Sequence, residues 1–352
     1  MKLRNSSGSG VTVMNESARA FHIPSRLNAT TPIELQGLER DDVKLMVLNR
    51  ETGKCDHSTF KRLPDYLDEG DVLVLNNSRT LPASLKGKQG NRNVEVRLSR
   101  RRAKNTWEAL VLGDFHQAGK HIEFPQGVTG RVKGEGSERP LIQLEFNRSG
   151  SELMDFIFKY GEPVRYEYIH DPWPLDFYQN VYGSVPGSVE MASAGRAFTW
   201  RLLQDLQDKG VGIGFIQLHA GLSYYGSDQW PHPRNHPEDY LIGSEAVMEI
   251  LRAKNRGKRL IAVGTTVVRA LETVMTAYGQ LQPAEGITNL YISGDTPLRI
   301  VDGLITGLHE PEASHLDLLK AFISEERLKD AYQTALDKNY KWHEFGDMNL
   351  IL

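Results

Sequence analysis

The chain has one cysteine, Cys55, among 352 residues, and this scarcity excludes several kinds of site. An intramolecular disulfide needs two cysteines, and zinc or iron–sulfur sites built from thiolates need several. So little cysteine fits a reducing compartment, and we expect the protein in the cytoplasm. Cys55 is either a packing residue or a reactive thiol, and the sequence leaves both roles open.

Long apolar runs and an excess of positive charge are also missing. No run approaches the roughly 20 apolar residues of a membrane helix, so we expect no membrane partner. Residues 1–25 have charged and small residues without an apolar core, which predicts a flexible N-terminal arm and not a secretory leader. The net charge of −3 excludes a uniformly basic nucleic-acid-binding surface but allows a local basic face.

The composition present is that of an ordinary globular protein, with 39% hydrophobic and 25% charged residues. Two strand-like runs in "KLMVLNRETGKCDHSTF" predict a hairpin. Short alternating runs separated by Gly, Asn and Pro turns predict a small antiparallel β-barrel or sandwich at residues 81–147. Helices and strands alternate after Ser149, with "TNLYIS" among the strands. The predicted fold class is α/β or α+β, with a body formed by residues 26–80 and 148–352.

The segment "RLIAVGTTVVRALETV" predicts a buried strand, a Gly-Thr-Thr turn and a helix from about Thr266. Gly264 allows a ligand to approach the backbone, and Thr265 and Thr266 supply hydroxyls beside the free N–H groups of a helix start. Arg269 and Glu272 follow one turn later. The alternative is an N-cap threonine with a surface ion pair between these two side chains. The segment lacks the lysine of a P-loop.

Three predicted strand ends carry histidines: His219 in "QLHAGL", His236 in "HPED" and His309 in "GLHEP". Polar residues beyond the strand ends of open α/β sheets converge on one crevice. A histidine there is a general base or a metal ligand, and together with Glu238 these histidines could form an open zinc site. The alternative is that each histidine only caps its loop.

Residues 85–105 contain eight basic side chains against the single acid Glu95, although the protein as a whole is acidic. The basic residues are Lys86, Lys88, Arg92, Arg97, Arg100, Arg101, Arg102 and Lys104. A second group, Lys254, Arg256, Lys258 and Arg259, extends this pattern. The cluster indicates either contacts with a phosphate backbone or a solvated basic face.

Eight segments resemble, in order and spacing, those of one enzyme family. They are "VLNRETG", "LPDYLDEGDVLVLNNSRTLPASL", "WEAL", "YQNVYG", "LHAGL", "IAVGTTVVRALET", "GLITGLHEP" and "FGDMNLIL". On this resemblance the chain is identified as a member of the S-adenosylmethionine:tRNA ribosyltransferase-isomerases of the queuosine pathway. The resemblance covers residues 44–352 and implies a distorted α/β barrel-like body with a smaller inserted antiparallel β-barrel.

The resemblance also implies a reaction. The ribosyl part of the co-substrate S-adenosylmethionine moves to the aminomethyl group of a 7-deazaguanine, 7-aminomethyl-7-deazaguanine, at the anticodon wobble position of tRNA. The sugar becomes an epoxycyclopentane, giving epoxyqueuosine, while adenine and methionine leave. A base must remove a proton beside the sulfonium, and a charged amine must be held near the sugar. The implied partners are S-adenosylmethionine and the tRNA anticodon region, with no metal, and we expect a monomer.

The expected site residues fall into three groups, and they come from the resemblance, from the strand-end pattern (His236 and Glu238) and from the basic cluster (the tRNA-binding residues). We expect His219, His309 and Arg269 to be catalytic. The expected substrate-binding residues are Asn76, Ser78, Arg79, Gly221, His236, Glu238, Gly264, Thr265, Thr266, Glu272 and Asp347. The expected tRNA-binding residues are Arg97, Arg100, Arg101, Arg102 and Lys104.

Departures from the family pattern predict altered activity. The family segment Pro-Thr-Ala-Gly-Leu-His-Phe-Thr reads "ASAGRAFT" here, with Arg196 for the leucine and Ala197 for the histidine. The family's Pro-Pro-Tyr-Ile reads "YEYI", and Glu312 and Asp317 stand where the family favours basic and apolar residues. A methyl group has no proton chemistry, so we predict ligand binding with slow turnover. The alternatives are a paralogue with another substrate, a non-catalytic RNA-binding protein and a metal hydrolase.

Overall fold

The structure, a computed structural model, describes residues 21–113, 121–226, 229–310 and 314–352. The predicted N-terminal arm lies outside the described residues except for its last five, and so does Glu312. The strands are β1 Lys44–Leu48, β2 Cys55–Thr59, β3 Val72–Asn76, β4 Ser78–Thr80, β5 Ser84–Gln89, β6 Arg92–Arg101, β7 Thr106–Leu112, β8 His121–Glu123, β9 Thr129–Glu135, β10 Ile142–Phe146, β11 Val185–Ser188, β12 Gly212–Leu218, β13 Glu238–Ile242, β14 Leu260–Val263, β15 Ala284–Thr288, β16 Gly303–Gly307 and β17 Met348–Ile351.

Six α-helices and eight short 3₁₀ helices lie within the described residues. The α-helices are α1 Gly150–Tyr160, α2 Trp200–Asp208, α3 Ser244–Asn255, α4 Thr265–Tyr278, α5 Ser314–Leu319 and α6 Glu325–Asp337. Short 3₁₀ helices lie at Ser25–Leu27, Ile33–Gln36, Arg40–Asp42, Phe60–Tyr66, Pro125–Gly127, Leu175–Tyr178, Ser193–Gly195 and Pro233–Asn235. Helix α2 shows the capping rule, because the Thr199 hydroxyl accepts the Leu202 N–H at 3.1 Å.

A mixed sheet of nine strands forms the body, in the order β15-β13-β12-β3-β14-β16-β17-β1-β2. Strands β12, β3, β14 and β16 are mutually parallel, so their carboxyl ends lie at the same edge of the sheet. Strands β3 and β14 are fully buried runs of Val, Leu, Ile and Ala, as expected for parallel strands covered on both faces. The predicted hairpin is confirmed by the antiparallel pair β1–β2.

A closed antiparallel barrel, β10-β7-β6-β5-β8-β9, lies between β4 and α1 in the chain. Its interior is apolar and includes the fully buried side chains of Val96, Leu98 and Trp107. Closure leaves no unpaired edge strand, which stabilises a small all-β unit. The predicted fold class, a mixed α/β body with an inserted antiparallel β-barrel, is confirmed.

Two local predictions differ from the structure. Residues 288–293, "TNLYIS", were expected as a strand, but β15 ends at Thr288 and the following residues are irregular. Helix α4 begins at Thr265 with Gly264 at the N-cap and no side-chain cap, so the alternative of an N-cap threonine is wrong. Within the described residues, no helix is both long and apolar enough to cross a membrane.

Candidate functional site

A cavity lies at the carboxyl edge of the parallel strands. Its volume is about 400 Å³, within the range of small-molecule sites. Residues after β12, β14 and β16 line it, as expected for the crevice of an open α/β sheet. The sequence-predicted residues that line it are Gly221, His236, Glu238, Gly264, Thr265, Thr266, Arg269 and His309.

The Gly-Thr-Thr turn places the start of helix α4 at this cavity. Gly264 has φ 96° and ψ 150°, a backbone conformation that L side chains rarely adopt. A Cβ there would also meet the Ala194 Cβ at 3.3 Å. Thr265 and Thr266 line the cavity at the end of a helix whose first N–H groups have no intrahelical acceptor. This positive helix end favours an electron-rich group of a ligand.

Arg269 projects from α4 and forms an ion pair with Glu238 of β13. Both side chains line the cavity, with exposures of 15% for Arg269 and 6% for Glu238. The alternative of a surface ion pair between Arg269 and Glu272 is therefore wrong. Glu272 lies outside the cavity, where its carboxylate accepts the backbone N–H groups of residues 299, 300 and 301 at 2.9, 3.1 and 3.2 Å. Glu272 therefore holds the loop at residues 299–301 against helix α4, and we leave it out of the proposed site.

The cavity contains four imidazoles, of which His236 and His309 were predicted from the sequence. His309 Nε2 lies 2.7 Å from the Thr306 hydroxyl, and its ring stacks on that of His315 with centroids 4.5 Å apart. Burial lowers the pKa of His309, His315 and His236. Neutral imidazoles at neutral pH can accept a proton from a ligand.

The fourth imidazole, His343, reaches the cavity from the loop before β17. Its Nδ1 lies 2.9 Å from Glu310, its Nε2 lies 3.1 Å from the Asn28 side-chain oxygen, and its ring stacks on Tyr168 at 3.9 Å. Sequence reasoning missed His315 and His343 because neither follows a strand. The available signal was weak, since His315 shares the segment "GLHEPEASH" with His309.

His219 and Ser78 belong to the wall behind the cavity. His219 Nδ1 lies 2.8 Å from the Ser78 hydroxyl, which lies 2.6 Å from the Ser188 hydroxyl. None of the three lines the cavity, although Ala220 and Gly221 beside His219 do. Burial lowers the pKa of His219. This chain of hydrogen bonds positions the loop after β12. Because His219 does not line the cavity, its expected catalytic role stays a prediction.

Three further expected substrate-binding residues also lie outside the cavity. Asn76 bridges β3 and β12, because its side chain accepts the Leu218 N–H at 3.0 Å and donates to the Leu218 carbonyl at 2.8 Å. Arg79 donates to the Gly183 carbonyl at 3.3 Å. Asp347 accepts the N–H groups of Lys44 and Lys341, each at 2.7 Å. These contacts hold the framework of the site, so we do not assign substrate contacts to these residues.

The candidate ligands of the alternative zinc site do not come together in the structure. Among the described residues, no group of three or more His, Cys, Asp or Glu side chains is arranged to hold a metal ion. His236 Nδ1 instead lies 3.2 Å from the Tyr225 hydroxyl, and His219 is hydrogen-bonded to Ser78. The hydrolase hypothesis, which required these histidines and Glu238 to converge, has no geometric support here.

The basic residues of the barrel divide into paired and exposed groups. Arg100 donates two hydrogen bonds to Asp239, at 2.9 and 3.0 Å, and so joins the barrel to the body. Arg97 donates to Glu95 at 2.7 Å. Arg101, Arg102 and Lys104 are exposed around the β6–β7 turn, and Arg102 also forms a longer ion pair of 3.8 Å with Glu108. In the second basic group, Lys254 pairs with Asp302 and Arg259 with Asp71.

Ala197 is buried beside the large cavity, not in it. It is 4% exposed and packs with Phe198 and Leu202 in the core beneath the sheet. A second cavity of about 10 Å³ adjoins it and shares Ser193, Gly307, His343 and Glu344 with the large one. The neighbouring Arg196 is 3% exposed and holds Glu34 through two bonds of 2.7 and 2.9 Å.

Comparison with known proteins gives the class to which this fold and cavity belong. A family model described as "Queuosine biosynthesis protein" matches residues 17–351. The S-adenosylmethionine:tRNA ribosyltransferase-isomerase of Carboxydothermus hydrogenoformans is 36% identical over 340 residues, covering 94% of this chain and 98% of the relative. The protein of the same name from Desulfitobacterium hafniense is 36% identical over 344 residues, again covering 94% and 98%.

A solved structure agrees with these relatives. The crystal structure of S-adenosylmethionine tRNA ribosyltransferase from Thermotoga maritima is 28% identical, with a TM-score of 0.54, and covers 95% of this chain and 100% of that one. The chain therefore belongs to the queuosine biosynthesis protein family.

Proposed function

We propose that the chain is an S-adenosylmethionine-dependent tRNA ribosyltransferase-isomerase. It transfers and isomerises the ribosyl moiety of S-adenosylmethionine onto 7-aminomethyl-7-deazaguanine in tRNA, and epoxyqueuosine is the product. One observation carries this conclusion: relatives named for this activity match at about 36% identity over 94% of the chain. The Gly-Thr-Thr turn lines the cavity that we assign to the reaction.

The cavity residues suit the chemical demands of this reaction. A proton beside the sulfonium must be removed, and His309 and His315 are buried imidazoles whose pKa values lie below the usual range. We infer that one of them accepts this proton. The α4 start at Thr265 and Thr266 offers N–H groups and hydroxyls to the leaving purine or the ribose oxygens. The pair Arg269–Glu238 holds α4 against β13 and keeps this wall in place.

The turnover test is the release of adenine. Incubation with S-adenosylmethionine and tRNA that carries the aminomethyl base should release adenine and methionine in equal amounts. The same tRNA with guanine at the wobble position is the control, and it should release neither. Adenine release that does not depend on the aminomethyl base would contradict the proposed function.

We further propose that tRNA contacts the exposed turn between β6 and β7. Arg101, Arg102 and Lys104 are exposed there, and their positive charge suits the phosphate backbone. Arg97 and Arg100 are not part of this proposal, because their side chains are only 15% and 11% exposed and are held by Glu95 and Asp239, whereas Arg102 is 42% exposed.

Replacing Arg101, Arg102 and Lys104 together with alanine should weaken binding of different tRNAs to similar extents. The slope of log affinity against log salt should become shallower by roughly one unit for each lost phosphate contact. A matched control removes three exposed charges elsewhere, Arg62, Arg252 and Lys329, whose exposures are 66%, 57% and 46%. Equal salt slopes for the two triple variants would refute the tRNA surface.

A further inference from the structure

Acidic and aromatic side chains form one wall of the large cavity, and they have no role in the reaction steps proposed for the histidines and helix α4. Glu190 follows β11, Glu344 precedes β17, and both line the cavity. Three tyrosine rings, Tyr166, Tyr168 and Tyr178, line it with them. The other cavity-lining carboxylates differ, because Glu238 and Glu310 have partners in Arg269 and His343, and Glu167 is exposed.

Glu190 lacks a charged partner at close range. Its carboxylate accepts the Ser223 N–H at 2.8 Å, and among the described residues no basic group forms an ion pair with it. The charged and titratable groups that face it are Arg97 of the barrel, Glu344 and Tyr225. Burial, with the Glu344 charge added, raises the pKa of Glu190 to about 8. The side chain is thus mainly a neutral acid at pH 7.

Glu344 is held in place by its neighbours but is not neutralised by a lysine or arginine within the described part of the chain. It accepts a short hydrogen bond from the Tyr168 hydroxyl. The Tyr168 ring in turn stacks on His343. Burial raises the pKa of Glu344, as it does for Glu190. Removing two carboxylates from water costs free energy, and a cation bound beside them offsets that cost.

The Tyr178 hydroxyl is a second, independent observation, because it lacks a hydrogen-bond partner. Tyr178 is 3% exposed, lines the cavity, and its hydroxyl has no hydrogen-bond partner in the described structure. Glu344 is near enough to raise its pKa further above the effect of burial. A buried polar group without a partner is destabilising, and a ligand that supplies the missing hydrogen bond removes this cost.

We propose that Glu190, Glu344 and Tyr178 form a subsite for a positively charged group of the ligand, an ammonium or a sulfonium. The carboxylates attract the charge, the tyrosine faces add cation–π attraction, and the Tyr178 oxygen accepts a hydrogen bond from an ammonium. The inference rests on the proposed function, which offers two sources of such a group. S-adenosylmethionine has a sulfonium and an α-ammonium, and the aminomethyl group of the tRNA base is an ammonium.

The test compares wild type with Glu190→Gln, which keeps the shape of the side chain and removes its charge. Calorimetry with S-adenosylmethionine, S-adenosylhomocysteine, 5′-methylthioadenosine and free 7-aminomethyl-7-deazaguanine separates the sources. Loss of affinity of tenfold or more for at least one charged ligand is expected, with no change for the uncharged 5′-methylthioadenosine. Loss for S-adenosylmethionine alone identifies the sulfonium, and loss for both adenosyl amino acids identifies the α-ammonium. Loss for the free base alone identifies the aminomethyl group.

Affinity for the charged ligand should also depend on pH. Only the ionised form of Glu190 attracts a cation, so wild-type affinity should rise roughly tenfold from pH 6 to pH 7 as that form becomes about tenfold more populated. Glu190→Gln should lack this rise. Glu326→Gln, an exposed site on α6, is the control and should behave as wild type.

Tyr178→Phe is the second variant, because it removes an unpartnered hydroxyl and should fold without loss of stability. It should weaken ammonium binding without changing the affinity for 5′-methylthioadenosine. Unchanged affinities for every charged ligand in both variants would overturn the subsite while leaving the proposed function intact. If wild type binds none of the four ligands, the proposed function fails and the subsite fails with it.

Discussion

Replacing Arg269 with alanine is expected to lower the free energy of unfolding by about 3–5 kcal/mol, because Glu238 then keeps a buried charge without its partner. The Glu238 side chain is 6% exposed and its ion-pair partner is Arg269. The loss should extend to ligand affinity, since both residues line the cavity. Urea denaturation followed by circular dichroism measures the first effect, and calorimetry with S-adenosylmethionine measures the second.

A double-mutant cycle separates this pair from ordinary surface charges. Glu238→Gln in the Arg269→Ala background should recover part of the lost stability, because the unpaired charge is gone. The matched surface pair, Arg62 with Asp65, has exposures of 66% and 52%. Arg62→Ala should therefore change stability by less than about 1 kcal/mol. An equally small effect of Arg269→Ala would show that its ion pair with Glu238 contributes no more than a surface ion pair does.

Ala197→His is expected to lower stability by about 1–3 kcal/mol, because an imidazole overpacks a core site. Ala197 lies in the same buried core as Phe198 and Leu202, and the adjoining cavity of about 10 Å³ has room for at most about one water molecule. Ala197→Ser, a small polar substitution, is the control and should cost less. Denaturant midpoints of the three proteins measure the difference. Equal midpoints would show that the site has more room than the structure gives it.

The effect of Ala197→His on turnover is a separate prediction, made from the sequence. If the family histidine performs essential chemistry, restoring it should raise ribosyl transfer at least tenfold, which corresponds to about 1.4 kcal/mol of barrier. Wild-type turnover at roughly 0.1–10 per second, a rate ordinary for enzymes, would refute the damaged-enzyme hypothesis. His309, His315 and His343 all line the cavity, so imidazole chemistry remains available without residue 197.

Local patterns in the sequence predicted much of the fold. The β1–β2 hairpin, the barrel strands and the α1 helix between Ser149 and Gly161 all follow from alternation, turn residues and caps. Strand β15, "AEGIT", was missed because four of its five residues are not buried and it lies at the edge of the sheet, where it pairs with β13. "TNLYIS" has the apolar composition of a strand, but the β15 pairing ends at its first residue.

The candidate site was less predictable because it depends on contacts between distant segments. The Gly-Thr-Thr turn was predictable because its signal is local: a strand, a turn of small residues and a helix follow one another in the sequence. Arg269 meets Glu238 through the packing of α4 against β13, and no spacing rule reports that contact. Glu190, Glu344 and Tyr178 line one cavity for the same reason. Tyr178 ends a short 3₁₀ helix and the two glutamates lie in loops, and the three segments are far apart in the sequence.

The central claim is tested most directly by the mass of the modified nucleoside. Wild-type protein is incubated with S-adenosylmethionine and tRNA that carries 7-aminomethyl-7-deazaguanine, and the tRNA is then digested and analysed by mass spectrometry. We predict epoxyqueuosine in samples that contain S-adenosylmethionine and none where it is omitted. An unmodified base after prolonged incubation, with a protein that still binds S-adenosylmethionine, would contradict the assigned reaction.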